Sequence, residues 1–372
     1  MALDVKVNIT VSQSRGTANY GVPLIAAAGI TAGTDTTSAD ITAVPYTECT
    51  KLTEVIEAGF SKESNVYQAA ALLCKQKNRP KRFAVYGAAK LGEDTSWLYE
   101  DWRQLIVVKY VDGDVDTSTG YNFETPVGIS DVIEALGESE VYKMFFTSAS
   151  MVDVTTDTEE FDADAWAEYT EEFGLHDRTV IMYYDSSVIA PEAAVVGAAA
   201  GYSAGAITYK NLILTGIAGL KLTDAEITAI NGSATTGCAM TAVEKAGDVV
   251  TSEGKTNSGE YIDVIDSKDW IIENISYNVQ KLFNNNPKVP YTTPGITLIE
   301  NAVSAVLKTA FNNGMIAPTE DNSEVGDYST DFTPVADVAD TDKSARYYGG
   351  GTFTFKLAGA IHEAEINGEI VV

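Results

Sequence analysis

The chain has 372 residues, 45% of them hydrophobic, and its 53 acids against 25 bases give a formal charge of −28. That length allows two domains or one domain with a large insertion, and the apolar content excludes a disordered chain. An acidic surface repels phosphate backbones and anionic membranes, so neither nucleic-acid binding nor membrane contact is expected.

In chain order, the first residues alternate, with Leu3, Val5, Val7, Ile9 and Val11 on one face and Asp4, Lys6, Asn8 and Thr10 on the other. This is the pattern of a half-buried strand. No basic region precedes an apolar run there, so no secretory leader is expected. SQSRG (12–16) ends the strand in a flexible linker rather than a hairpin turn.

Residues 21 to 240 read as an α/β domain. VPLIAAA (22–28), KRFAVYGA (81–88), RQLIVVKY (103–110), VYKMFFTS (141–148) and RTVIMYYD (178–185) are expected strands. PYTECTKLTEVIEAGF (45–60), SNVYQAAALLCKQK (64–77), ISDVIEALG (129–137) and DADAWAEYTEEFG (162–174) are expected helices. Continuous apolar strands alternating with helices imply a sheet that is at least partly parallel and covered on both faces. Gly197, Gly201 and Gly205 have GxxxGxxxG spacing, which predicts a helix packed closely on a neighbour rather than a dinucleotide loop.

Residues 241 to 363 read as a second, C-terminal domain. IDSKDWIIENISYNVQKLF (265–283) sets Ile271, Ile275, Val279 and Leu282 on one stripe, with Asp266 or Ser267 as the expected cap. NNNPKVPYTT (284–293) cannot continue that helix. A second helix is expected from Thr293 as cap, with Pro294 in its first turn and Gly314 at its end. Only Glu300 and Lys308 are charged along it, so it is read first as the core helix of this domain, with an interior contact surface at Glu300, Ser304 and Lys308 as the alternative. GTFTFKLAG (351–359) and AIHEAEI (360–366) are expected strands leading to a turn at Asn367-Gly368 and a final short strand, EIVV, within a C-terminal arm at 364–372. Two stretches are acidic without a base: nine acids in 153–172 and eight in 320–342, read as solvated helix faces and, for the second, a surface loop.

Little in the chain points to catalysis. His176 and His362 are isolated, and HExxH and P-loop spacings are absent. Cys49, Cys74 and Cys238 offer no CxxC pair, so free thiols in a reducing compartment are expected rather than disulfides or zinc. No catalytic residue, metal or cofactor is expected.

One resemblance reaches further. Gly259 with Asp263, Asp269-Trp270-Ile271, Val289-Pro290-Tyr291-Thr292 with Gly295-Ile296, and Gly314 occur in an order that resembles the C-terminal region of contractile tail sheath proteins, found in myophage tails and R-type phage-tail-like bacteriocins. PYTECTKLTEVIEAGFSKESNVYQAA (45–70) and GAITYKNLILTGI (205–217) look like upstream sheath segments, the second as a strand.

The resemblance implies an α/β domain, a C-terminal domain of two helices and a sheet, and terminal arms at 1–20 and 364–372 that each add a strand to a neighbouring subunit. Val5, Val7, Ile9 and Val11, and Ile366, Ile370, Val371 and Val372, are then inter-subunit strand residues. Identical subunits, an inner tube, baseplate and tail terminator proteins are the implied partners. Assembly in a bacterial host's cytoplasm would precede release in a virion tail or bacteriocin particle. The competing readings are another self-assembling tail or shell protein, and an α/β enzyme.

Overall fold

The computed structural model describes residues 21–29, 43–92, 95–109, 129–138, 142–150, 161–185 and 188–362. Its contacts form two compact units that divide between Tyr277 and Asn278. Both expected arm strands, with Val5, Val7, Ile9, Val11, Ile366, Ile370, Val371 and Val372, lie outside the described residues.

The first unit is built on one eight-stranded sheet of order β2-β3-β1-β4-β5-β6-β7-β8. Six strands run parallel: β3 (Phe83–Ala88), β1 (Pro23–Ala28), β4 (Gln104–Lys109), β5 (Met144–Ala149), β6 (Thr179–Tyr183) and β7 (Met240–Lys245). β2 (Val44–Cys49) and β8 (Asp248–Thr251) close the two flanks antiparallel. Every residue of β1 is buried, as a central strand covered on both faces requires. Alternate residues feed opposite layers. Ile25, Ile106, Phe146 and Met182 pack with helices α1 (Leu52–Glu57), α2 (Asn65–Cys74) and α5 (Glu192–Ala199). Leu24, Leu105 and Phe145 pack with α3 (Ile129–Glu138) and the tryptophans Trp97 and Trp102. Ile181 and Tyr183 pack with α4 (Ala163–Phe173) and α6 (Asp224–Asn231).

Two expectations change here. VPYTEC is strand β2 rather than the start of a helix, because Pro45 has no N–H to give a helix interior, whereas an edge strand with a bulge between Val44 and Thr47 accepts it. GAITYKNLILTGI is not a strand. Asn211 (φ +61°) and Gly216 (φ +93°) break its extension, and only Ile213 bridges to Val250 of β8. The segment lies along β8 nonetheless, with Asn211 N–H donating to Thr251 O and Leu214 N–H to Val249 O.

α5 is buried on every side, and its Gly197 is the predicted close contact: a Cβ there would stand 2.5 Å from the Leu73 carbonyl oxygen of α2. The helix ends at Ala199, so Gly201 and Gly205 follow it; Gly201 allows a still closer approach, since a Cβ there would stand 1.9 Å from the Asn78 carbonyl oxygen.

Glu192, in the first turn of α5, is fully buried, and its Oε2 has no partner among the described residues. Burial pushes its carboxyl up from 4.5 to about 7. A raised acid costs nothing below 4.5, where folded and unfolded states are both protonated. As pH rises from 4.5 to 7 only the unfolded state ionises, so stability falls. Glu192→Gln should therefore raise the melting temperature at about pH 8, with the gain shrinking towards pH 4.5. A pH-independent difference in melting temperature between the two proteins would contradict this reading.

The second unit holds the end of α7 (Ile262–Asn285), then α8 (Thr293–Asn312), β9 (Tyr328–Phe332), α9 (Asp340–Ala345) and β10 (Gly351–Phe355). α8 is capped by Thr292, whose hydroxyl accepts from Gly295 N–H, one residue before the expected Thr293. Gly314 (φ +80°) follows its end, as expected. The acidic stretch 320–342 is not wholly a loop, since it supplies β9 and starts α9. Tyr328, Thr330 and Phe332 are half-buried and alternate with the exposed Ser329 and Asp331, a pattern masked in the sequence by the flanking acids. Residues 360–362, the described start of AIHEAEI, are not strand.

Candidate functional site

The first half of α7 is held by a buried ionic lattice. α7 begins at Ile262, a full turn before the expected caps Asp266 and Ser267, because Ile262 and Ile265 bury against the core of the first unit and Ile262 N–H donates to the Gly254 carbonyl. Asp266 is thereby free of capping and sits one turn from Asp269 on the same helix face. Arg103, Lys143 and Arg178 immediately precede β4, β5 and β6, at the amino ends of three adjacent parallel strands.

Arg103 binds both carboxylates, with Nε to Asp266 Oδ1 at 3.2 Å and Nη1 to Asp269 Oδ2 at 2.7 Å, and also donates to the Tyr142 carbonyl. Arg178 makes a two-pronged contact with Asp269, at 2.8 and 2.9 Å. Tyr209 donates its hydroxyl to Asp266 Oδ2 at 3.3 Å and accepts from Gln104 Nε2 at 3.4 Å. Two guanidiniums against two carboxylates make a neutral set, the condition under which buried charges are tolerable. Burial alone would push the Asp269 carboxyl up, but Arg103 and Arg178 outweigh it and hold it below its ordinary 3.8. Burial pushes Asp266 up, opposed by Arg103. Lys143 beside them donates to the Glu100 and Trp102 carbonyls, both at 2.6 Å, and lies 4.2 Å above the Trp102 ring. Its burial lowers the ammonium to about 7.

None of these partnerships was anticipated. The available signal was an arginine directly ahead of each apolar strand, RQLIVV and RTVIMY, with two aspartates three apart on the long helix. His176 is structural: its N–H donates to Asn257 Oδ1 at 2.8 Å and its ring Nε2 lies 2.9 Å from the Phe173 carbonyl.

The second unit presents two surfaces. α8 buries Ile296, Val303, Val306, Leu307 and Ala310 on one stripe. Of the three candidate contact residues, Lys308 is exposed, Ser304 is half-buried, and Glu300 is half-buried with Thr330 Oγ1 donating to it at 2.9 Å. The outer face is otherwise uncharged, with Thr297, Leu298, Asn301, Ala305 and Thr309 exposed. β9 and β10 pair antiparallel, from Tyr328 opposite Phe355 to Phe332 opposite Gly351, and form a sheet of only two strands among the described residues. Phe353 and Phe355 stack their rings along β10 with centroids 6.2 Å apart.

Residues 262–370 match a domain family described as the E217 tail sheath protein gp31-like C-terminal domain. That match covers less than a third of the chain. The fold of the whole chain is similar to that of solved sheath structures. The PVC sheath complex of an extracellular contractile injection system, in its contracted state, superposes with a TM-score of 0.65 at 11% identity, covering 99% of this chain and 98% of its own. The helical sheath of the anti-feeding prophage, also contracted, gives 0.61 at 13% identity, with 100% and 98% covered. A chain of the anti-feeding prophage baseplate gives 0.60 at 12% identity over the same shares. At such identities the likeness establishes a shared fold. No curated protein sequence matches.

The sheath domain places its landmarks usefully. Asp269 of the Asp-Trp-Ile element is the carboxylate shared by both arginines of the lattice; Gly259, just ahead of the matched residues, has φ +97° and leaves no room for a side chain, since a Cβ there would stand 2.7 Å from Ala234 Cβ. Among the described residues no helix is long and apolar enough to cross a membrane.

Proposed function

We propose that the chain is the structural subunit of a contractile tail sheath, polymerising helically around an inner tube and shortening to drive that tube through a target envelope. The sheath domain at 262–370, joined to a chain that shares the sheath fold along its whole length, carries this reading. Its role is mechanical rather than catalytic, and its partners are further copies of itself, the tube, the baseplate and the tail terminator. Assembly in a bacterial cytoplasm followed by release in an extracellular particle completes the picture.

Strand exchange through the arms would link the subunits, and the available edges favour one acceptor. The large sheet is poorly open to an added strand: β2 carries Pro45, a bulge and the Arg82–Glu48 ion pair beside it, while residues 211–214 already lie along β8. The two-stranded β9–β10 sheet is of marginal size by itself and gains most from added strands. The arm residues Val5, Val7, Ile9 and Val11, and Ile366, Ile370, Val371 and Val372, are the proposed donors.

The outer face of α8 is the proposed tube contact, because its low charge suits a surface that must slide. Lys308→Glu should then weaken co-assembly with the tube while sheath-only polymers persist; unchanged tube pull-down would remove α8 from the tube interface. The reading as a whole is tested by sedimentation velocity over a concentration series. A sheath subunit grows into long polymers above a threshold, whereas an enzyme or a closed shell component settles at one discrete size.

A further inference from the structure

We propose that successive copies of this chain, within the polymer inferred above, dock through a basic corner of one subunit on an acidic corner of the next. The basic corner is the connection from α2 to β3. Residues 64–92 hold six of the chain's 25 bases and no acid. Lys75, Lys77, Arg79 and Lys81 are all exposed on it, and among the described residues Lys75, Lys77 and Lys81 have no ion-pair partner. The connection is held in shape, because Gln76 donates to the Thr215 carbonyl at 2.6 Å, accepts from Thr215 N–H at 2.8 Å, and Gly201 sits against the Asn78 carbonyl.

The acidic corner is the last two turns of α4 and its connection to β6. Glu168, Glu171, Glu172 and Asp177 are exposed there, again without ion-pair partners among the described residues.

Both connections enter parallel strands, so both corners lie at the amino end of the same sheet. β1, β4 and β5 separate β3 from β6, so four strand spacings of roughly 4.8 Å put the starts of the two strands about 19 Å apart, and α2 and α4 lie on opposite faces of the sheet, which separates the corners further. That exceeds the Debye length of about 8 Å at physiological salt, so the two cannot neutralise each other within one subunit. The bases between them, Arg103 and Arg178, are already engaged with Asp266 and Asp269. A chain of charge −28 that stacks on itself must find such complementary patches or repel its neighbours. Using two different surfaces, the contact is head-to-tail, the kind that propagates into rings or helices.

The test reverses each corner alone and then combines them. Lys77→Glu with Lys81→Glu, and separately Glu168→Lys with Glu171→Lys, should each leave the melting temperature unchanged and raise the critical concentration for polymerisation on the order of tenfold. An equimolar mixture of the two variants pairs reversed corner with reversed corner and should restore assembly. Wild-type-like polymerisation of either single set, or a mixture that stays as defective as its components, would overturn the docking while leaving the sheath reading intact. A wild-type chain that never polymerises would overturn both.

Discussion

Asp269→Asn should lower the stability of the protein by about 3–5 kcal/mol, the cost of leaving a buried charge without its partner. Asparagine keeps the shape of aspartate but removes the charge shared by Arg103 and Arg178, whose forks then have only Asp266 between them. The side chains of Arg103 and Asp269 are 3% and 4% exposed, so water cannot make up the loss. Arg103→Met should cost a similar amount by stranding the Asp266 carboxylate, while Asp269 keeps only Arg178. Together the two substitutions should cost less than the sum of the two single changes, because each partner's removal relieves the other's isolation. The pH dependence has a definite sign. Asp269 titrates below its unfolded 3.8, so its contribution is complete above 3.8 and disappears as pH falls through the depressed folded value. The denaturation midpoints of the two proteins in urea should therefore converge in acid. A loss within about 1 kcal/mol at neutral pH would show that the lattice behaves as an ordinary solvated pair.

Deleting residues 367–372, or residues 1–14, should leave a folded, monodisperse subunit that no longer forms long polymers. An added strand contributes main-chain hydrogen bonds of about 0.5–1.5 kcal/mol each, so losing about four of them removes roughly 2–6 kcal/mol from each inter-subunit contact. Every 1.4 kcal/mol is a tenfold change in an association constant, so the threshold for growth moves beyond working concentrations. The same weakness explains why such strands suit a moving lattice. Individually modest bonds would hold neighbours together while their bodies re-packed between two arrangements. Circular dichroism and sedimentation of the truncated proteins check both halves of the expectation. Polymers of normal length from either truncation would remove strand exchange from the account.

Much of the architecture was legible because it rests on local pattern. The strands of the parallel sheet are unbroken apolar runs such as LIAAA and LIVV, and α2 announces itself with Ser64, which caps it by accepting from Tyr67 N–H. What the pattern hid was decided by distant contacts. Asp266 has the chemistry of a helix cap, yet Ile262 and Ile265 extend α7 past it and Arg103, 163 residues away, takes its carboxylate. VPYTEC is ambiguous until the β3 edge is present to pair with it. β9 is short, half-exposed and set among acids, and its partner β10 follows only after α9. Of the candidate assembly residues, the structure turns Lys308 outward and draws Glu300 toward Thr330, a distinction that two charges on a helix could not make by themselves.

As a tail sheath subunit, this chain would build a hollow helical cylinder. Negative-stain electron microscopy of the purified full-length protein, alone and with its particle's tube protein, tests it most directly. The account predicts hollow, striated cylinders that grow in number with concentration. Discrete small particles at every concentration would contradict it.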